Sequence, residues 1–234
     1  MMNPVFQTVK SLIDDVESSQ QEAIEQAAIA CANAIENGGM LQAFGSGHSE
    51  AGAMEVAHRA GGFIPSKKLV EPARGSYEGI EGVGTNFMKK VDIRENDVVF
   101  IISNSGRNPL PIEIAIGAKN KGAIVICVTA LEASKKLSSK HSSGKNLYQL
   151  SDIILDNRVP EGDCGCTLDG YDSAICGMSM ITTSVIIQAI TYRTAEILIS
   201  RGITPPIYKS QNIDGGREFN EQLEAKYFDR LYRI

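Results

Sequence analysis

The apolar run Val98-Val99-Phe100-Ile101-Ile102 breaks off directly into Ser103-Asn104-Ser105-Gly106-Arg107-Asn108-Pro109. Such a short apolar run bounded by turn residues reads as a buried parallel strand. Pro109 suits the first position of a following helix, where the N–H it lacks would have no partner anyway. A strand that ends in hydroxyls, an amide and a glycine and then enters a helix aims free backbone N–H groups at one point. That geometry holds an anion, most often a phosphate. A second junction of the same design lies upstream, where Met40-Leu41-Gln42-Ala43-Phe44 runs into Gly45-Ser46-Gly47-His48-Ser49. Two polar strand ends on one sheet define a site.

The rest of the pattern supplies that sheet. Val5, Val9, Leu12, Ile13 and Val16 recur at helical spacing, and Ser19-Gln20-Gln21-Glu22 has the form of a capping box. Ala23, Ile24, Ala27, Cys31, Ala34 and Ile35 form one face of the next helix, which Asn37-Gly38-Gly39 stops. The pattern leaves open two helices or one bent helix. A strand over 40–44, a helix over 50–60 and a short strand at 68–70 follow. The remainder of 61–92, broken by eight glycines and prolines, reads as a long functional loop. Then come the strand 98–102, a helix from Pro109 to Lys121, a strand 123–128 ending in Thr129, and a helix-then-loop over 134–148. A strand at 152–155 and a helix over 173–200 complete the sheet-bearing part, and a short helix lies in the polar tail near 217–232. Strands alternating with helices predict an α/β fold, a three-layer, doubly wound parallel sheet with right-handed crossovers. Ligands of such sheets sit beyond the carboxyl ends of the strands, where both polar junctions fall.

Composition narrows the partners. With 234 residues, 43% of them hydrophobic, the chain can bury one large core. A net charge of -5 and no Lys/Arg block argue against nucleic acid. No run of 18 apolar residues or signal-peptide pattern is found, so the expectation is a cytoplasmic protein without membrane partners. The five cysteines are an odd count, and Cys31 and Cys127, inside apolar segments, read as buried thiols. Cys164-Gly165-Cys166 lacks a second Cys pair or a matching His, so no metal and no cofactor is expected. Among known anion loops, Gly45-x-Gly47 begins like a dinucleotide fingerprint, but Glu50 stands at the third glycine, where its carboxylate opposes a pyrophosphate. Neither a Walker lysine motif nor a G-x-S-x-G elbow occurs.

Gly45-Ser46-Gly47-His48-Ser49 together with Ile102-Ser103-Asn104-Ser105-Gly106-Arg107-Asn108 resembles the paired loops of SIS (sugar isomerase) domains, a layout shared by phosphoheptose isomerases and N-acetylmuramic acid 6-phosphate etherases. The resemblance spans about residues 35–200. A bacterial group of uncharacterised SIS-domain proteins is also similar in the tail, where Pro205-Pro206 precedes Asn212-Ile213-Asp214-Gly215-Gly216. It implies a phosphosugar-binding fold, usually a homodimer or homotetramer with sites near subunit boundaries. Residues 1–38 then form an N-terminal helical extension, 39–202 the SIS domain and 203–234 a C-terminal tail. The resemblance places the phosphate on Ser103 and Ser105 with Asn104, Gly106 and Asn108. It places the sugar near Ser46, Gly47, His48 and Ser49, and near Thr85 and Asn86. Thr129, at the next strand end, can add a hydroxyl.

Isomerisation of a sugar phosphate needs a group that takes a proton from carbon and one that returns it. Glu55 and His58 fall three apart on the expected helix and share a face. His58 stands about where the phosphoheptose isomerase pattern carries a glutamate. No His follows His141, so that family's second catalytic His has no counterpart, and Glu78, Glu81 or Asp172 would have to substitute. Structural readings stand beside these: His48 as a helix cap, His58 bonded to Glu55, Glu55 paired with Arg59, His141 on the surface. Phosphosugar isomerisation is the leading reading; an amino-sugar phosphate lyase or a non-catalytic sugar-phosphate sensor are the alternatives.

Overall fold

The structure, a computed structural model, describes residues 3–233. Five strands, β1 (Leu41–Gly45), β2 (Ser66–Lys68), β3 (Val98–Ile102), β4 (Ile124–Thr129) and β5 (Ile153–Asp156), form a parallel sheet in the order β2-β1-β3-β4-β5. Gly45, Ile102, Val128 and Leu155 lie in one register row, so four strands reach their carboxyl ends at the same level. The chain steps from β1 outward to β2, then crosses to β3 on the other side of β1. The winding reverses between β1 and β3, and the crevice where such sheets take ligands opens there.

The middle of the sheet is buried on both faces because β3 is apolar at every position and β4 at all but its last, Thr129. Val98, Phe100 and Ile102 pack toward α2 (Gln21–Glu36), α3 (Glu50–Val56) and α7 (Ser179–Ser200). Val99 and Ile101 point the other way, toward α4 (Val83–Met88) and α5 (Pro109–Asn120). Alternation along a single strand thus feeds two cores and makes three layers. Ala27, Ala28 and Ala32 of α2 are fully buried, and these small side chains let the helix approach α7 closely. No helix of the described residues is long and apolar enough to cross a membrane.

The first 36 residues form two helices, α1 (Pro4–Ser19) and α2, that meet at Gln20. The expected capping box is not formed: the Ser19 hydroxyl donates to Asp15 O, and the Gln20 side chain accepts the Asp156 N–H, tying the junction to the end of β5. Helix α3 stops at Val56, not at residue 60; Ala57 is extended and His58 has φ +55°. The short edge strand lies at Ser66–Lys68 rather than 68–70, in register with Leu41–Ala43. The segment read as all loop contains α4. Its N-terminal N–H groups, those of Gly82 and Thr85, are accepted by the Glu113 carboxylate of α5, thirty residues away, so no local cap announces it. A hairpin, β6 (Cys164–Cys166) and β7 (Ile175–Gly177), precedes α7, which therefore begins at Ser179. The helix expected from residue 134 starts instead at Leu131, directly after β4, and is short: α6 (Leu131–Lys136).

The C-terminal helices α8 (Gly216–Glu224) and α9 (Phe228–Leu231) fold back under the sheet. Asp97 anchors them. Its side chain is fully buried and accepts from Met40 N (2.8 Å), Gln42 Nε2 (2.8 Å), Arg94 N (2.9 Å) and Arg230 Nη2 (2.6 Å). Buried Lys67 joins the cluster, donating to Arg230 O and Arg233 O, and burial holds its ammonium below the ordinary lysine range.

Candidate functional site

The loop after β3 has one polarity. Asn104 O accepts from Ala130 N (3.1 Å) and the Thr129 hydroxyl (2.9 Å), and Ser105 O accepts from the Ser134 hydroxyl (2.8 Å). Gly106 O accepts from Leu147 N (2.8 Å) and Arg107 O from Lys140 N (2.9 Å). Four successive carbonyls are thus turned into the protein. The Gly106 N–H is taken by the Ser103 hydroxyl oxygen at 3.3 Å. The N–H groups of Asn104, Ser105, Arg107 and Asn108 meet no acceptor among the described residues. Gly106, at φ +58°, makes the turn, and a Cβ there would come within 3.1 Å of Ser134 Oγ. With α5 starting at Pro109, the loop and the helix end both present positive dipole ends. Free N–H groups beside a helix N-terminus are the arrangement that favours an anion. Ser103, Asn104, Ser105 and Asn108 are half-exposed, so a solute can reach them.

The loop after β1 stands beside it, since Gly45 and Ile102 are register partners. Gly47 has φ +57°, and residues 47–49 make a single 3-10 turn into α3. Gly47 and His48 are exposed, Ser46 and Ser49 half-buried. Glu50 is occupied by Lys68 Nζ at 2.6 Å, and that ammonium holds its carboxyl below the usual range.

Glu78 joins the two loops. One carboxylate oxygen accepts the Ser46 hydroxyl at 2.5 Å, and the other accepts Asn108 Nδ2 at 2.7 Å. Its backbone oxygen accepts Leu110 N from the first turn of α5 at 3.1 Å. The turns carrying it are fixed by Glu71, which accepts Ala73 N and Gly75 N, and by the tight approach of Gly75 to Ser46. The glycine-rich segment before α4 therefore carries a carboxylate to the strand ends and leaves it between the two loops.

Other residues expected at the site lie differently. Thr129 is fully buried and its hydroxyl is spent on Asn104 O, so it shapes the cradle from behind rather than adding a donor. The Asn104 side-chain oxygen is taken by Asn157 Nδ2 (2.7 Å). Thr85 and Asn86 belong to α4: the Thr85 N–H goes to Glu113, and the Asn86 amide donates to Gly82 O and accepts from Lys89, so Asn86 is turned into its own helix. Glu55 and His58 do not share a helix face, because the helix ends between them. Glu55 bonds Arg59 and Gln188. His58 lies at the far end of α3 from Ser49, about 10 Å along the helix. There it borders a 570 Å³ cavity with Lys68 and Met54, and a second of 380 Å³ with Tyr208, Asn220 and Glu224 of the tail. Crowding by these neighbours lowers the His58 pKa, with Glu224 opposing, so the ring is neutral at pH 7. Another cavity, of 590 Å³, is elsewhere again, between α1 and the segment that carries Arg158, Pro160 and Gly165.

His141 is not on the surface. Its side chain is 11% exposed and its Nε2 lies 3.8 Å from Glu113 Oε1, while Ser142 N bonds Glu81. The 138–146 loop thus closes over the turn that carries Glu78 and Glu81. Neither contact has a sequence signal, because each joins segments about thirty or more residues apart.

An α/β protein whose parallel sheet carries two polar loops at its point of reversed winding is the class that fold and site define. The chain belongs to the SIS domain family, whose model matches residues 6–130. It is 47% identical over 229 residues to a UPF0309 protein of Listeria monocytogenes, covering 98% of both chains. It is 38% identical over 240 residues to a UPF0309 protein of Geobacillus kaustophilus, covering 99% of this chain and 96% of the other. Among solved structures it has the fold of the phosphoheptose isomerase from Francisella tularensis, with a TM-score of 0.60, 18% identity, and coverage of 83% of this chain and 96% of that one. The phosphoheptose isomerase GmhA of Neisseria gonorrhoeae gives a TM-score of 0.59, 18% identity, and coverage of 82% and 96%.

Proposed function

We propose that this chain binds a phosphorylated sugar or amino sugar between the β1 and β3 loops and interconverts its aldose and ketose forms. The observation that carries the binding is the polarity of residues 104–108, with every carbonyl from 104 to 107 bonded inward and four N–H groups left for an anion. The hydroxyls of Ser103 and Ser105 and the Asn108 amide complete the phosphate contacts. The turn Ser46-Gly47-His48-Ser49, exposed at Gly47 and His48, faces the sugar. Solved proteins of the same fold named as phosphoheptose isomerases support the substrate class.

Glu78 is the base this reading favours. Its carboxylate stands between the phosphate loop and the sugar loop, where the carbons next to a bound phosphosugar's carbonyl would lie. His58, neutral and two helical turns away, serves in this reading as a wall of the neighbouring cavity. The half-open cradle and the exposed apolar side chains of Tyr192 and Ile199 on α7 suit a homodimer or homotetramer in which a second copy covers the site.

Calorimetric titration with a panel of aldose and ketose phosphates tests the binding. Ser105→Ala removes one hydroxyl from a dianion's shell, a loss of about 1.5–3 kcal/mol, or roughly ten- to a hundredfold in Kd. The folded state should be unaffected, since no bond of the Ser105 hydroxyl holds the loop. Equal affinity of both proteins for every sugar phosphate would refute the cradle.

A further inference from the structure

The β6–β7 hairpin, which the phosphate cradle does not use, gathers three of the five cysteines. Cys164 and Cys166 stand two residues apart on β6. The register pairs Cys164 with Gly177 and Cys166 with Ile175, which sets Cys176 diagonally beside both. Strand and rise geometry put the Cys166 and Cys176 Cα atoms roughly 6 Å apart, inside the span a disulfide bridges. Strict alternation would still send the Cys176 side chain to the opposite face from Cys164 and Cys166. It does not go there. Cys176 has φ +68°, a left-handed conformation that a residue other than glycine seldom adopts, and its side chain packs on the small cluster that includes buried Cys166. Burial raises the Cys176 thiol pKa, and the proximity of Cys166, then Cys164, raises it further. The backbone departure thus brings two thiols together that a regular ladder would separate.

We propose that Cys166 and Cys176 are a reversible dithiol–disulfide pair, oxidised by a peroxide. Cys176 is partly exposed and Cys166 is buried behind it, so Cys176 meets the oxidant first. Its thiolate attacks the peroxide: an S–O bond forms, the O–O bond breaks, and the leaving hydroxide takes a proton to become water. The Cys166 sulfur then attacks the Cys176 sulfur, the S–O bond breaks, and a second water leaves with the Cys166 proton. Two thiols and one hydrogen peroxide become one disulfide and two waters, the sulfurs losing the two electrons that the peroxide gains. The bond closes the tip 167–175, which carries exposed Leu168 and Tyr171, into a ring. Because the thiol is held above its ordinary pKa, the reaction is slow at neutral pH and quickens about tenfold per pH unit toward the alkaline side.

The full-length protein, reduced and then treated with hydrogen peroxide between pH 7 and 9, is alkylated, digested and mapped by mass spectrometry. The expected product is a Cys166–Cys176 linked peptide pair, two hydrogens lighter than the reduced pair and restored by dithiothreitol, and it should persist in Cys164→Ser. Mapping the unsubstituted protein makes the result independent of how Cys166→Ser or Cys176→Ser folds. A Cys164–Cys176 linkage, conversion of Cys176 to sulfinic acid with no linkage, or thiols left unchanged by peroxide that oxidises an unstructured cysteine peptide would each overturn the proposal.

Discussion

Glu78→Gln should lower turnover of a sugar phosphate by about 10²–10⁴-fold while leaving its affinity within roughly tenfold. Glutamine keeps an oxygen to accept the Ser46 hydroxyl, and Asn108 can turn its amide oxygen to the new NH2 group, so both loops stay in place. What it loses is an acceptor able to take a proton from carbon. Glu78→Ala should behave differently. Neither Ser46 nor Asn108 then has its partner, the two loops are no longer tied, and affinity falls together with turnover. Each charge-assisted bond contributes about 1.5–3 kcal/mol when its partner is left without an acceptor, and water replaces part of that at a half-exposed site. The split between kcat and KM separates the two roles. Equal turnover by the glutamine variant and the parent would remove Glu78 as the base. Binding without turnover by the parent protein would leave the cradle intact and make the chain a sensor of its ligand.

The largest stability effect is expected at Asp97. Asp97→Ala leaves the N–H groups of Met40 and Arg94 without their acceptor in a site that water does not reach, and strips the Arg230 guanidinium and the Gln42 amide back to their bonds with Asp92. Breaking a buried, multiply bonded ion pair from one side costs about 3–5 kcal/mol. In a chain of this length that is a drop of roughly 6–20 °C in Tm. The loss should be directional. Protease should cut the segment beyond Tyr208 first, because Arg230 ties α9 to the sheet. Arg230→Met is the informative companion: it leaves a buried carboxylate without its cation, but Asp97 keeps three donors and the stem's volume is kept, so its effect should be smaller than that of Asp97→Ala. An unchanged Tm in Asp97→Ala would contradict this account of how the tail is held.

Legibility followed the range of the interactions. β3, β4 and the loop after β3 could be read because each is declared locally, by an apolar run and by the serines and glycine that end it. The start of α5 was legible for the same reason: Pro109 sits at its first position. α4 was not, since its N–H groups are capped by Glu113 across the fold rather than by a neighbour. The β6–β7 hairpin was hidden because glycine, cysteine and aspartate carry no strand period. At the candidate site, the sequence pointed to the two loops but not to their wiring. Thr129 was expected to face the ligand and instead bonds Asn104 O, and His58 was expected on a helix that ends before reaching it. His141 was expected on the surface and packs against Glu113. Glu78 was among the acids the sequence offered for proton transfer, yet its contacts with Ser46 and Asn108 span about thirty residues and only folding brings them together.

Backbone amide resonances, followed in nitrogen-labelled protein during titration with a sugar phosphate, bear most directly on the central claim. Inward-bonded carbonyls leave the N–H groups of Asn104, Ser105, Arg107 and Asn108 as the anion's donors, so these four should show the largest downfield shifts and should saturate together with the calorimetric isotherm. Unmoved resonances at those four positions, with the large shifts instead around His58 and Tyr208 or at the α1–hairpin cavity, would show that the ligand binds elsewhere and contradict the account.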